Sequence, residues 1–373
     1  MRSALPRSHR PLHRLRHRPV QLAALTAAIA LTLAACSSDD GDAAPTSTPT
    51  ASDQATTGTG DDATETTFPI TIPSTFGDTT IESKPERVAT VNWGNHDVPI
   101  ALGVVPVGIS AASYGDDDTD GILPWTYEGL EKLGATGDRA PALFDETQGI
   151  AFESVANVEP DVILAAYSGL TQEDFTTLSA IAPTVSYPVY AWGTNWRDMA
   201  LIDGKALGLE AQAQALVADV EAQIADALAA RPDVAGKTFA YAWIDATDSS
   251  IINLYTPLDA RVQLVEDLGM SVAPSVTALA GDTDQFFVTL SAEQADTLDD
   301  VDVLVVYGDD STLATMQADP LLATIPAVAR GSVAVVPDGI PLSAATSGPT
   351  VLSVPWALDD YLDLFEAAAK KVG

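Results

Sequence analysis

The sequence at the centre of the chain, residues 196–230, is WRDMALIDGKALGLEAQAQALVADVEAQIADALAA. It contains eleven alanines and no proline. An apolar side chain recurs at every fourth residue: Leu216, Val220, Ile224 and Leu228. This spacing predicts an α-helix with one apolar stripe, which ends at Pro232. A helix of about 30 residues spans roughly 45 Å, which suits a rigid connector between two lobes. The alternative is two helices broken near Gly204 or Gly208, and a two-lobed chain is expected either way.

Short β-branched runs alternate with helical stretches on both sides of this segment. The alternation predicts an α/β fold with mainly parallel sheets. Eight runs bounded by Gly, Pro, Asp or Asn are strand candidates: residues 87–93, 105–110, 162–166, 184–187, 238–244, 251–255, 303–307 and 333–337. We therefore expect an N-terminal lobe over 68–195, a connecting helix over 196–236 and a C-terminal lobe over 237–373.

The N-terminal region is typical of an exported protein. Residues 1–18 are basic, and residues 20–35 form an uncharged apolar run that is shorter than the ~20 residues of a membrane span. Leu33-Ala34-Ala35-Cys36 is similar to the lipobox of bacterial lipoproteins, so residues 1–36 are predicted to be a signal peptide with Cys36 lipidated. The alternative is a buried cysteine behind a signal anchor. Residues 37–67 contain no aromatic or large aliphatic residue, which predicts a disordered spacer.

The charge of the chain excludes several classes of function. The formal net charge is −34, but six arginines lie before residue 19, and without them 52 acidic residues face 12 basic ones. A surface of about −40 repels phosphate backbones, so nucleic-acid binding is not expected. One cysteine, and His96 as the one histidine beyond the basic end, exclude zinc fingers and disulfide frameworks. No nucleophile elbow, Walker loop or His-Glu-x-x-His motif is present, so an enzyme is not expected.

Eight segments, in order, resemble the ferric-siderophore-binding proteins of bacterial ABC importers. The resemblance covers roughly residues 70–370, and its segments are Phe76–Val88, Ala101–Gly108, Phe152–Ile163, Ile181–Val185, Leu290–Gln294, Asp302–Val306, Asp319–Leu321 and Pro326–Val333. A single segment such as Pro160-Asp161-Val162-Ile163 is weakly specific, but eight such segments in the same order are a strong indication of the family. The resemblance implies two α/β lobes joined by a long helix, with the ligand in the cleft between them.

The same resemblance implies a function and partners. The protein would capture an iron(III)-siderophore complex outside the membrane and deliver it to an ABC permease and its ATPase. A monomer held to the outer face of the cytoplasmic membrane through its lipid is expected, with the chelate as ligand and no cofactor. A corrinoid or haem receptor on the same fold is the nearest alternative, and a lipid-tethered cell-wall enzyme is a more distant one. A direct Zn²⁺ or Mn²⁺ receptor is not favoured because such sites recruit several histidines.

Aromatic residues lie where predicted strands end, which is where ligands bind in α/β sheets. They offer a large contact area with few rotatable bonds, which suits a flat chelated ligand. Five are candidate cleft residues, with core packing as the alternative for each: Trp93, Tyr114, Tyr167, Trp192 and Tyr255. Trp243 lies within a predicted strand and is expected in the core.

Few cations are available to hold an anionic ligand. Arg261, at the start of the helix after the 251–255 strand, is the first candidate, and Arg139 is the second. Arg87 and Arg330 match family positions at strand starts, where a structural role is expected. Two cations in a strongly acidic chain suit a neutral or cationic ligand better than a trianionic tris-catecholate. The sequence therefore favours hydroxamate-type siderophores.

Two glutamates, one in each lobe, match the acidic residues with which this family docks onto arginines of its permease. Glu153 and Glu293 each begin a helix. The alternative role is stabilisation of a helix N-terminus by a carboxylate.

The sequence Asp116-Asp117-Asp118-Thr119-Asp120-Gly121 matches the first half of a Ca²⁺ loop. The twelfth position is Tyr127, where the loop requires a bidentate glutamate. Asp116, Asp118 and Asp120 are therefore a weak Ca²⁺ candidate, and a solvated acidic loop is the expected alternative.

Overall fold

A computed structural model describes residues 66–245 and 248–373. The N-terminal lobe begins with an antiparallel hairpin and continues as a five-stranded parallel sheet in the order β5-β4-β3-β6-β7. Its elements are β1 (Ile70–Ser74), β2 (Gly77–Ile81), β3 (Val88–Thr90), α1 (Asp97–Ala101), β4 (Gly108–Ser110), α2 (Pro124–Lys132), β5 (Ala142–Phe144), α3 (Phe152–Asn157), β6 (Val162–Ala165), α4 (Gln172–Ser179) and β7 (Thr184–Ser186). A short 3₁₀ turn covers Gly137–Arg139. Strand β6 is buried on both faces, which explains its continuous apolar sequence.

The connector consists of two helices, α5 (Trp196–Ala206) and α6 (Glu210–Ala229). The expected single helix of about 30 residues is therefore corrected. Gly208 at the break has a φ of +70°, and a Cβ atom there would lie 2.9 Å from the ring of Phe68. Helix α6, at 20 residues, is about 30 Å long. The alternative with a break near Gly208 describes the connector.

The C-terminal lobe contains a mixed sheet in the order β11-β9-β8-β12-β13, and β10 also pairs with β8. Strand β9 runs antiparallel to both of its neighbours, β8 and β11, while β8, β12 and β13 are parallel to one another. Its elements are β8 (Thr238–Asp245), β9 (Asp248–Tyr255), α7 (Ala260–Asp267), β10 (Ser271–Val272), α8 (Pro274–Ala280), β11 (Phe287–Ser291), β12 (Val303–Gly308), α9 (Thr312–Ala318), α10 (Pro326–Arg330), β13 (Val333–Pro337), α11 (Pro341–Ser347) and α12 (Ser353–Ala369). Short 3₁₀ helices cover Ala292–Thr297 and Leu322–Thr324.

The two predicted α/β lobes are confirmed, and each of the eight strand candidates overlaps a strand. One buried cluster joins both lobes and the connector, with members such as Val98, Val220, Phe239 and Phe365. Helices α11 and α12 also pack against α2, where the rings of Trp125 and Trp356 lie 5.3 Å apart. The lobes are therefore held together by a helical seam in addition to the connector.

The structural roles expected for two arginines are found. Arg87 donates to the carbonyl of Glu159 at 2.8 Å, and Arg330 donates to the carbonyls of Val301 and Asp302 at 2.7 and 2.6 Å. The expectation for Trp243 is wrong, because its side chain is 48 % exposed. Within the described residues no helix is long and apolar enough to span a bilayer. Cys36, the signal peptide and most of the spacer lie outside the described residues.

Candidate functional site

The N-terminal lobe contributes aromatic side chains from the carboxyl ends of its strands. Trp93 follows β3 and Tyr114 follows β4, and their rings meet edge to face at 5.9 Å. Tyr167 follows β6. A Cβ atom on Gly348 of the C-terminal lobe would lie 3.3 Å from the Tyr167 ring and 3.9 Å from Trp93. Three aromatic residues predicted from strand ends therefore converge on the boundary between the lobes.

Trp192 joins Trp93, Tyr114 and Tyr167, and we call these four residues the N-terminal aromatic wall. Its ring meets Tyr167 edge to face at 5.3 Å. Its backbone has a φ of +61°, and its N–H donates to the carbonyl of Ser168 at 2.9 Å. A Cβ atom on Gly169 would lie 2.4 Å from the indole nitrogen, so the close approach requires glycine. The loop thus holds the indole against Gly169, in the segment that follows β6.

Arg261 is a buried cation in the C-terminal lobe, and together with Tyr255 and Tyr307 it forms what we call the C-terminal aromatic wall. The carboxylate of Asp259 caps α7 by accepting from the Arg261 backbone N–H at 2.9 Å, and the same oxygen accepts from Nε at 2.7 Å. The guanidinium carbon lies 3.9 Å from the centroid of the Tyr255 ring, a cation–π contact. Burial opposes the charge on Arg261, but the adjacent carboxylate outweighs it, so the pKa of the guanidinium lies well above its ordinary value.

A second tyrosine extends this wall. Tyr307, near the end of β12, has its hydroxyl 3.5 Å from Nη1 of Arg261 and 2.9 Å from the hydroxyl of Ser347. Tyr307, Ser347 and Asp259 are not among the site residues predicted from the sequence. The strand-end rule that selected Tyr255 applies equally to Tyr307, so that signal was present.

Contacts between the two walls place the site at the lobe boundary. Burial raises the pKa of Tyr167 above its ordinary value, and Asp259 and Arg261 both influence it from the other lobe. The hydroxyl of Tyr114 donates to Asp338, which follows β13. Burial and this hydrogen bond raise the pKa of Tyr114 to about 12. Near neutral pH the site therefore presents neutral hydroxyls and aromatic faces around one guanidinium.

A polar cluster behind Trp93 supports the wall. Glu146, just after β5, accepts from the Asn92 backbone N–H at 2.8 Å, and the Asn92 side chain accepts from the N–H of Gly169 at 3.1 Å. Burial raises the pKa of Glu146, although hydrogen bonds from Asn92 and Ser110 oppose the shift. Asn92 has a φ of +57°, and the two hydrogen bonds hold this unusual backbone beside Trp93. No sequence motif pointed to Glu146.

Arg139 lies apart from this group. It is exposed in the 3₁₀ turn, and its guanidinium passes over Gly134, where an added Cβ atom would lie 3.1 Å from Nη2. Among the contacts of the described residues, none joins Arg139 to the aromatic walls.

The two glutamates lie where a partner could reach them. Glu153 is exposed in the first turn of α3, and Glu293 is exposed at the start of the 3₁₀ helix after β11. The backbone N–H of Glu293 donates to the side chain of Ser291 at 3.4 Å.

The acidic loop after β4 brings its three carboxylates together. Oxygens of Asp116, Asp118 and Asp120 lie within 4.8 Å of one another. Asp116 accepts from the backbone N–H groups of Thr119 and Gly121 at 2.9 and 2.8 Å, so loop amides already occupy part of its acceptor capacity. Ca²⁺ binding by this loop stays a prediction.

Comparisons with known proteins agree with this geometry. The family model described as "Periplasmic binding protein" matches residues 88–339. The solved structure of PiaA from Streptococcus pneumoniae TIGR4 in complex with ferrichrome is 44 % identical, covers 82 % of this chain and 100 % of that one, and has a TM-score of 0.78. A second structure of PiaA, an iron uptake ABC transporter substrate-binding protein, is 43 % identical over 81 % and 100 % of the two chains, with a TM-score of 0.74. The Fe(3+) dicitrate-binding periplasmic protein FecB of Escherichia coli K12 is 25 % identical over 72 % of this chain and 82 % of its own length.

Proposed function

Because this chain belongs to the periplasmic binding protein family, we propose that it is the substrate-binding component of an ABC importer and captures a ferric siderophore of the hydroxamate type. The chelate would sit between the aromatic walls at the lobe boundary. From there it would pass to a membrane permease driven by its ATPase.

The observation that carries this proposal is that the guanidinium of Arg261 is buried among aromatic residues from both lobes. Aromatic faces contact the hydrocarbon and peptide surface of a chelate with little loss of rotamer entropy. One guanidinium can donate hydrogen bonds to the oxygens around the iron of a neutral chelate. It cannot by itself neutralise the three negative charges of a tris-catecholate complex. A neutral ferric trihydroxamate satisfies this site better than a trianionic tris-catecholate does. The 44 % identity to PiaA, solved with ferrichrome, supports the same class.

A binding panel tests the ligand class. The full chain is titrated by calorimetry with a ferric trihydroxamate, a ferric tris-catecholate, cobalamin and haem. We expect submicromolar affinity for the trihydroxamate and at least about 100-fold weaker binding of the tris-catecholate, since about 1.4 kcal/mol corresponds to each tenfold step. Binding of cobalamin or haem alone would overturn the proposal in favour of those ligands.

Delivery is proposed to use Glu153 and Glu293 as docking carboxylates, one on each lobe. Their exposure supports this role, and an exposed carboxylate can pair with an arginine on a partner surface. Extracytoplasmic localisation with a lipid on Cys36 belongs to the same proposal. Such a tether would keep the protein close to its permease.

The docking role is separable from ligand binding. The double variant Glu153→Ala/Glu293→Ala is expected to bind the chelate with wild-type affinity while uptake by cells falls about 10-fold or more. Glu173→Ala, which removes an exposed glutamate from α4, is the matched control. Unchanged uptake at matched expression would show that these two carboxylates do not dock.

A further inference from the structure

The C-terminal lobe exposes an aromatic residue at the carboxyl end of its central strand. Trp243 in β8 is 48 % exposed, although its neighbour Ala242 is fully buried. Trp243 pairs with Asn253 of β9, and Asn253 pairs with Thr289 of β11. Cross-strand partners share one face of a sheet, so these three side chains form a row on one face.

The same face carries the tyrosines around Arg261. Tyr255 lies two residues after Asn253, and its partner in β11 is Phe287, which is 37 % exposed. On the other side of β8, Val306 pairs with Ala242, which places Tyr307 beside Trp243. The rings of Tyr241 and Tyr307 lie 5.5 Å apart and confirm the shared face. Trp243 therefore adjoins the tyrosine that contacts Arg261.

Polar contacts hold this row in place, and the side chain of Trp243 is 48 % exposed. The side-chain amide of Asn253 donates to the carbonyl of Trp243 at 3.3 Å, and the hydroxyl of Thr289 donates to Asn253 at 3.3 Å. With the amide of Asn253 engaged on both sides, the surface offered to a ligand here is aromatic. An exposed tryptophan at the carboxyl end of a parallel strand occupies the position where ligands of open α/β sheets bind.

We propose that Trp243, together with Phe287, contacts the organic backbone of the chelate and sets the preference among ferric hydroxamates. This inference rests on the proposed function of the same site. Ferric trihydroxamates share an iron centre and differ in the peptide or hydrocarbon chain that links the hydroxamates. Arg261 contacts Tyr255 and Tyr307, where the oxygens around the iron would be held, whereas Trp243 and Phe287 lie on the neighbouring strands β8 and β11 and would contact the linking chain.

Calorimetry on the full chain tests this role with two probes, ferrichrome and ferrioxamine B, whose linking chains are a cyclic peptide and a linear hydrocarbon amide. We expect Trp243→Ala to weaken at least one chelate about 10-fold and to change the ratio of the two affinities. Trp243→Phe should recover most of the loss. Because the indole is half exposed, neither variant is expected to unfold, and circular dichroism checks this.

The matched control is Tyr127→Ala, which removes an exposed aromatic side chain from α2, outside both aromatic walls. It should leave both affinities unchanged. Wild-type affinities for both probes in Trp243→Ala would overturn the inference. If such a variant lost only uptake by cells, Trp243 would contact the permease and not the chelate. If the wild-type chain bound neither probe, the proposed function itself would fail, and the inference with it.

Discussion

Two buried aspartates, Asp97 and Asp259, are both almost fully excluded from solvent, but their hydrogen bonding differs. Asp97 is 0 % exposed and Asp259 is 1 % exposed. Asp97 accepts from the indole of Trp125 at 2.8 Å and from the hydroxyls of Thr126 and Thr350 at 2.7 and 2.6 Å. These donors come from α2 in one lobe and from the segment between α11 and α12 in the other.

Asp259 has a less complete set of partners. One of its oxygens accepts hydrogen bonds from the backbone N–H and from the Nε–H of Arg261. The other oxygen is buried without a hydrogen-bond partner among the described residues. Beyond Asp259, the one hydrogen-bond partner of the guanidinium among the described residues is Tyr307, at 3.5 Å. A fully satisfied buried network rigidifies structure, whereas an incompletely satisfied one retains capacity for a ligand. Asp97 therefore helps to hold the lobes together, and we propose that the Asp259–Arg261 pair serves ligand recognition.

The largest change in the free energy of unfolding is expected on substitution of Asp97. Asp97→Ala would leave three buried donors without an acceptor and lower the free energy of unfolding by about 3 kcal/mol. Asp97→Asn keeps an acceptor oxygen and should cost less. Denaturant unfolding of the full chain measures both variants. A loss below about 1 kcal/mol for Asp97→Ala would show that the seam does not depend on this network.

The next effect concerns affinity. Arg261→Ala should weaken chelate binding about 100-fold, because the buried cation is lost from the centre of the site. Arg261→Lys should recover part of the affinity, since the charge returns without the planar stack on Tyr255. Calorimetry measures both, and Arg139→Ala measured alongside ranks the second candidate cation. Retention of wild-type affinity in Arg261→Ala would remove this residue from the site.

The pH dependence of stability tests the surroundings of Asp97. His96 lies 3.7 Å from Asp97, and burial lowers its pKa below the ordinary 6.5, although Asp97 opposes the shift. Below pH 6.5 the unfolded chain binds a proton that the folded chain does not, so stability is lost as the pH falls through this value. Between pH 7.5 and 5.5 wild type should lose about 1 kcal/mol more than His96→Gln. Parallel pH profiles in denaturant unfolding would contradict the assignment.

The smallest effect is expected at the hydrogen bond that crosses the cleft. Tyr114→Phe removes the donor to Asp338 from a half-buried position and keeps the ring against Trp93. We expect the free energy of unfolding to fall by about 1 kcal/mol or less and chelate affinity to change less than about 10-fold. A larger loss of stability than in Asp97→Ala would reverse the comparison between seam and cleft.

Much of the candidate site was accessible from sequence because strand ends are local features. Trp93, Tyr114, Tyr167 and Tyr255 were selected by their position after apolar runs, and the structure brings them to one boundary. Trp243 shows where the rule failed. Its place within a predicted strand favours the core, but its side chain lies near the carboxyl end of β8 and is 48 % exposed.

The sequence by itself determined the two α/β lobes, the connector between them and the aromatic strand ends, because hydrophobic period and strand boundaries depend on near neighbours. Tertiary structure decided which polar groups meet. Asp97 and Thr350 are 253 positions apart, and Tyr114 and Asp338 are 224 apart. It also decided that the carboxylate of Asp97 accepts from three donors, whereas one oxygen of Asp259, beside Arg261, has no hydrogen-bond partner among the described residues. Hydrogen bonds over such separations depend on how the lobes pack, and no local pattern carries that information.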